Sequence, residues 1–235
     1  MNRVALVTGV GPGLGAALAR RFSREGFGVG LVARHPNFIE GLAREISATG
    51  QSAASVVADV SRPAEVISAI ARVREKLGSI GLLIHNASDS SGNGLLETTV
   101  EQFEQSWRVT ALGGFVCAQE TARDMVASDG GAMIFTGATS SVRGGGSLAF
   151  SSAKFALRGL VQSLALELWP QGVHVAHVVV DGLIGTPQDS TKIAQSEPML
   201  DPDCMADAYW HLVNQARSAW TLELDLRPHT EQFFV

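Results

Sequence analysis

Apolar residues follow two alternating rhythms along the 235-residue chain. Short runs rich in Val, Ile, Leu and Ala occur at residues 3–9, 27–33, 52–59, 80–87, 131–137 and 173–180. Runs of that length without polar interruption read as strands buried on both faces. Between them, residues 14–25, 38–49, 64–77, 100–127 and 148–169 carry apolar positions at helical spacing. Strict strand–helix alternation predicts a parallel, doubly wound α/β sheet with helices on both sides, three layers in one domain spanning residues 1–235.

Near the end, a helix from about Pro202 to Gln215 leads into an alternating segment, residues 218–226, that reads as a last strand. Residues 181–201, with glycine, proline and polar side chains, form the least regular stretch. They follow the carboxyl end of a strand, where open α/β sheets bind ligands, so a substrate lid over 181–201 is expected, with specificity carried around Pro187 and Pro198.

Charge narrows the choice of ligand. A formal net charge of −5 with only 17% charged residues offers no electrostatic footprint for nucleic acid or anionic membrane, and leaves small molecules as partners. No apolar run reaches the roughly 18 residues a membrane span needs. The chain enters Val4–Val7 without a secretion-type leader, and its two cysteines, Cys117 and Cys204, lack metal-like spacing, so a reduced, cytoplasmic protein is expected. His174 and His177 lie three apart on a strand-like run and point to opposite faces, which argues against a metal site there. His85 reads as a packed core residue, and Tyr209, the one tyrosine, as core within a late helix.

The first chemical signal is "TGVGPGLG", residues 8–15, between the first strand and first helix. Glycines there let the backbone approach a pyrophosphate, and the helix N-terminus favours its charge. A tight strand-to-helix connection would have the same composition. The spacing of Gly9, Gly13 and Gly15, with Leu14 between the last two, resembles the short-chain dehydrogenase/reductase family. Further segments carry the likeness along nearly the whole chain. Asp59 and Val60 in "ADV" resemble its adenine-contacting segment, Asn86 and Ala87 in "HNAS" its Asn-Asn-Ala-Gly element, and "DGLIGT" with Ile184 and Thr186 its Pro-Gly loop ending in Thr. The resemblance implies a Rossmann-type fold, a nicotinamide cofactor, and a homodimer or homotetramer paired through the helices at 100–127 and 148–169. At the end of the second strand, an acid would bind the ribose of NAD, whereas a base accommodates the extra phosphate of NADP. The residue there is Arg34, which favours NADP over NAD.

The catalytic side departs from the pattern. The resemblance implies an Asn, Ser, Tyr and Lys tetrad, of which Lys154 matches. Phe150 stands four residues earlier, where the family has its proton-donating Tyr, and shares a helix face with Lys154. Thr110 stands at the Asn position, and the Ser position falls on Gly137 or on Ala138, depending on the end from which it is aligned. Thr139, Ser140 and Ser141 follow, and Ser140 is the expected substitute hydroxyl; all three also suit a turn that satisfies its own backbone. The expected catalytic set is therefore Lys154, Ser140 and Phe150. An NADP(H)-dependent oxidoreductase with a non-standard active site, acting on a carbonyl or enoyl compound, is the first expectation. A catalytically silent NADP(H) sensor or an interaction protein of the same fold is the alternative.

Overall fold

The computed structural model describes residues 2–145, 147–186 and 199–230. Seven parallel strands form one sheet: β1 (Val4–Thr8), β2 (Gly28–Ala33), β3 (Ala53–Val57), β4 (Leu82–His85), β5 (Gly131–Thr136), β6 (Val173–Val180) and β9 (Glu223–Leu226). Their spatial order is β3-β2-β1-β4-β5-β6-β9, so the direction of winding reverses beside β1. That reversal opens a crevice at the carboxyl ends of β1 and β4, the usual ligand position in such sheets. A separate short pair, β7 (Leu183–Ile184) with β8 (Met199–Leu200), lies between β6 and the last helix.

Two apolar layers hold the helices to the sheet. On one side, α1 (Leu14–Arg24), α2 (Pro36–Ala48) and α7 (Pro202–Val213) pack through Leu18, Phe22, Ile39, Ala206 and Tyr209. On the other, α3 (Pro63–Leu77), α5 (Gly113–Ala127) and α6 (Leu148–Leu168) pack through Val66, Ile70, Cys117, Leu157 and Val161. Alternate residues of β1 serve the two layers, Ala5 and Val7 facing one and Val4 and Leu6 the other. Proline at the first turn starts α2, α3 and α7, where its fixed backbone angle fits and its missing N–H costs nothing.

Three expectations need correction. Edge strand β3 is covered unevenly rather than buried on both faces, with Val57 half exposed, because one flank lacks a neighbouring strand; edge strand β9 alternates as expected, with Glu223 and Asp225 facing out. The last strand begins at Glu223, after a 3-10 turn at Arg217–Ala219. The helix expected at 100–127 is divided: α4 (Val100–Trp107) passes through a π-helical turn, Arg108–Leu112, into α5. Two glycines follow that turn. A Cβ on Gly113 would lie 2.8 Å from the Val60 carbonyl oxygen, and one on Gly114 3.2 Å from the His85 ring, so the helix can approach the sheet only without side chains there. Such π turns are frequent at functional sites, and this one faces the sheet crevice.

Of the expected lid, residues 187–198, including Pro187 and Pro198, lie outside the described residues.

Candidate functional site

Two adjoining cavities occupy the crevice. The first, about 290 Å³, is lined by Val32, Arg34, Asp59, Val60, Ala87 and Val109 among others. The second, about 430 Å³, reaches from Gly13, Leu14 and Gly15 to Phe150, Lys154, Ile184 and Thr186. Gly9, Gly11, Asn86 and Ser88 line both, so the two are halves of one elongated site across the end of the sheet.

The glycine turn makes this site possible. Gly9 has φ +70°, and a Cβ there would stand 2.5 Å from the backbone of Ala87. A Cβ on Gly15 would stand 2.8 Å from Cα of Val10. Only glycine permits the first conformation without strain and both close approaches. The start of α1 at Gly13 carries no side-chain cap, and the Ala16 N–H is taken by the Gly11 and Gly13 carbonyls, which leaves the Leu14 and Gly15 N–H groups to meet an anion. Asn86 ties the end of β4 to the turn, its Nδ2 donating to the Gly9 carbonyl at 3.1 Å.

At the adenine-facing end expected from the sequence, Asp59 is held by local bonds. Its carboxylate accepts from the Ser61 N–H at 2.9 Å, and its own N–H donates to Glu65 at 2.8 Å. Arg34 is exposed at the rim beside His35, with no ion-pair partner among the described residues.

The opposite end is built around Lys154, which is 2% exposed. Its ammonium donates to the Thr136 carbonyl at 2.7 Å and lies 5.5 Å from the centre of the Phe150 ring. Burial pulls its pKa down to about 7. The position follows from the helix: Phe150 and Lys154 are one turn apart on α6, whose start is fixed by Ser147 accepting from the Phe150 N–H at 3.4 Å. Phe150 and Ala138 complete the wall.

Behind this wall lie buried polar groups, among them His85 and Tyr209, which the sequence placed in the core. His85 joins β1 to the π-helical turn. Its Nε2 lies 3.1 Å from the Thr110 carbonyl, which can only accept, so that nitrogen carries the proton and Nδ1 accepts from the Thr8 hydroxyl at 3.0 Å. Burial, then the charge of Lys154, pushes the His85 pKa down to about 4, and the ring stays neutral. Thr110 Oγ1 is buried without a hydrogen-bond partner and does not line either cavity. His177 is also buried: Nδ1 bonds to Glu223 at 3.1 Å, Glu223 is gripped by Arg158 through two bonds, and Nε2 has no partner. Burial lowers the His177 pKa, against the pull of Glu223. Tyr209 lies in the core with its hydroxyl 2.9 Å from Thr136 Oγ1.

The expected site residues mostly converge. Gly9, Gly13, Leu14, Gly15, Arg34, Asp59, Val60, Asn86, Ala87, Lys154, Ile184 and Thr186 all line one of the two cavities, as does Phe150. Ser140 does not. It is half-buried in a 3-10 turn, Thr139–Ser141, that turns Ser141 inward, where its Oγ accepts the Ala138 N–H at 3.1 Å. Ser88, which the sequence reading passed over, borders both cavities; its place directly after Asn86-Ala87 was the available signal.

Comparison with known proteins agrees with this geometry. Residues 3–197 match the family described as short chain dehydrogenase. A short-chain dehydrogenase/reductase of Armillaria gallica is 36% identical over 191 residues, covering 79% of this chain and 72% of its own. Among solved structures, a short-chain dehydrogenase from Rhodopseudomonas palustris superposes with a TM-score of 0.84 at 35% identity, over 96% of this chain and 98% of that one. A metagenomic short-chain oxidoreductase in complex with NADP gives 0.83 at 26% identity, over 97% and 98%. With its glycine turn, its strand order and these matches in agreement, the chain belongs to the short-chain dehydrogenase/reductase family of oxidoreductases.

Proposed function

We propose that the protein is an NADP(H)-dependent oxidoreductase with a non-standard active site that acts on a carbonyl or enoyl compound. The observation that carries this reading is the continuity of the crevice: the residues expected to hold a dinucleotide line one elongated site that ends at Lys154 and Phe150. The cradle fits the group, since Cβ atoms at Gly9 and Gly15 would collide with the turn's own neighbours and the α1 N-terminus is uncapped. The pyrophosphate would rest on that turn, the adenosine beside Asp59 and Val60, and the nicotinamide between Ile184, Thr186 and Lys154. When bound, the cofactor supplies or accepts a hydride. Arg34 supports NADP over NAD because its free guanidinium can meet the ribose phosphate with two parallel bonds. The NADP complex of the 26% identical metagenomic relative points the same way.

Phe150 occupies the family's tyrosine position and Ala138 lines the wall near the expected serine, so the site presents an apolar surface to the substrate. That surface suits an aromatic ring or acyl chain better than a polyol. Leu183, half exposed on the same cavity, extends it.

The silent NADP(H)-binding alternative rests on the same absence of a tyrosine or serine hydroxyl from the cavity wall at those positions. Titration with NADPH and NADH, followed by turnover assays on ketones, imines and enoyl thioesters, separates the readings. Micromolar, NADPH-preferring binding with turnover supports the oxidoreductase; binding without turnover supports the sensor; no binding overturns both.

A homo-oligomer is proposed as well. An apolar groove of about 260 Å³ lies where the π-helical turn and α5 meet α6, lined by Trp107, Leu112, Phe115, Ala156 and Leu160, the helices through which the family pairs. Both cysteines are unpaired, which supports the cytoplasm as the compartment.

A further inference from the structure

A reductase of this shape needs a proton for the oxygen of its product, and the usual tyrosine is absent from the wall. The described residues that line the nicotinamide-facing cavity offer few substitutes. Asn86, Ser88, Thr136, Lys154 and Thr186 are the ones with polar side chains. Thr136 Oγ1 is engaged by the Tyr209 hydroxyl. An amide and aliphatic hydroxyls are poor acids near neutral pH. Lys154 is the one ionisable side chain among these lining residues.

The groups behind the wall do not compete. Both ring nitrogens of His85 are committed, to Thr8 and to the Thr110 carbonyl. His177 has an unpartnered Nε2, but the ring is buried, does not line the cavity, and gives its Nδ1 to the Glu223 carboxylate, which leaves Nε2 without a proton.

We infer that Lys154 is itself the proton donor of this site, delivering from its ammonium the proton that a tyrosine hydroxyl would otherwise deliver. The inference rests on the oxidoreductase reading. The geometry is suited to it: the ammonium has three N–H groups, and the Thr136 carbonyl takes one, which fixes the nitrogen and leaves others to meet a substrate oxygen. Phe150 lies with its ring 5.5 Å from Nζ, where a tyrosine hydroxyl would lead the proton onward, and adds no acidic group of its own. In carbonyl reduction a C–H bond forms at the carbonyl carbon with the hydride supplied by NADPH. The C=O π pair passes to oxygen, an N–H bond of Lys154 breaks, and an O–H bond forms. Lys154 is left neutral and regains its proton from solvent. Burial already holds Lys154 close to the balance between its two protonation states, the condition under which an acid serves best at neutral pH. The neighbouring ionisable groups are His85 on β4, held neutral by a pKa of about 4, His177 on β6, whose pKa burial lowers, with its partner Glu223 on β9, and Arg158 further along α6.

The test joins a titration with kinetics. Nitrogen NMR of ¹⁵N-lysine-labelled, nucleotide-free protein, with Lys154→Arg assigning the signal, reports when Nζ loses its proton. NADPH oxidation is then followed from about pH 5 to about pH 10 with 4-nitrobenzaldehyde, an alkyl ketone and an enoyl thioester as probes. The expected result is a kcat that falls as pH rises through the NMR midpoint. In Lys154→Arg, measured at saturating NADPH so that any loss of cofactor affinity is separated from the chemical step, kcat drops about 10²-fold or more and the fall disappears. Turnover in which the fall persists in Lys154→Arg, or an Nζ that stays charged above about pH 9, overturns the assignment while the oxidoreductase reading stands. Absence of NADPH oxidation with every probe overturns both.

Discussion

A Cβ on Gly137 would lie 2.5 Å from Cε1 of His177 and nearer still to Nε2, so the imidazole fills the space that any side chain at 137 requires. The ring cannot withdraw easily, because Glu223 holds Nδ1 and Arg158 holds Glu223 through two bonds of 2.7 and 2.8 Å. Gly137→Ser should therefore destabilise the fold by about 1–3 kcal/mol through overpacking. Thermal melts check this. Adding His177→Ala should recover part of the loss, a coupling that independent sites do not show. A Gly137→Ser protein melting with the wild type would refute the clash.

That relationship also settles where a catalytic hydroxyl can be built. The sequence left the serine position open between Gly137 and Ala138. Gly137 and Ala138 both line the cavity with Phe150 and Lys154, but a side chain at Gly137 meets the His177 ring and has no room. Phe150→Tyr combined with Ala138→Ser should raise carbonyl reduction by about 10²-fold over wild type, the usual contribution of a general acid. Phe150→Tyr with Gly137→Ser should raise it far less. Steady-state assays with the same probe ketone decide, and equal gains in the two proteins would count against the placement.

What the sequence disclosed and what it withheld follow from the range of the forces involved. Gly9 and Gly15 were legible because part of their requirement is written in the turn itself: a positive φ at Gly9 and a close approach of Gly15 to Val10. The alternating apolar runs were legible because a buried parallel strand needs them. Ser140 was misplaced because the direction of a 3-10 turn depends on which serine caps Ala138, and that turned out to be Ser141. The Thr8–His85–Thr110 chain was invisible because its partners are 77 and 25 residues apart. The π-helical turn was hidden as well, although Gly113 and Gly114 marked a close approach that periodicity alone does not explain.

Arg34 tests the choice of cofactor. It stands exposed at the rim of the cavity that holds Asp59, with no ion pair to lose among the described residues. Arg34→Ala should weaken NADPH about tenfold or more and leave NADH within about twofold, since a charge-assisted bond to phosphate is worth about 1.5–3 kcal/mol. Fluorescence titration of both nucleotides measures it. An equal loss for both would assign Arg34 to the shared part of the dinucleotide.

Lys154 should also mark the pH dependence of stability. Its pKa is about 7 when folded, against an ordinary value of 10.5. Between those values the unfolded chain holds a proton that the folded chain has released. Stability therefore rises with pH across that window, and the cost of burying the charge is felt in full below it. Lys154→Met removes this slope. Relative to wild type the variant should gain most near pH 6, with the gap shrinking by on the order of 3 kcal/mol by about pH 10. Chemical denaturation at both pH values provides the comparison, and subtracting one protein from the other cancels every group they share. A gap that stays constant would mean that Lys154 keeps its proton throughout, held by the Thr136 carbonyl despite its burial.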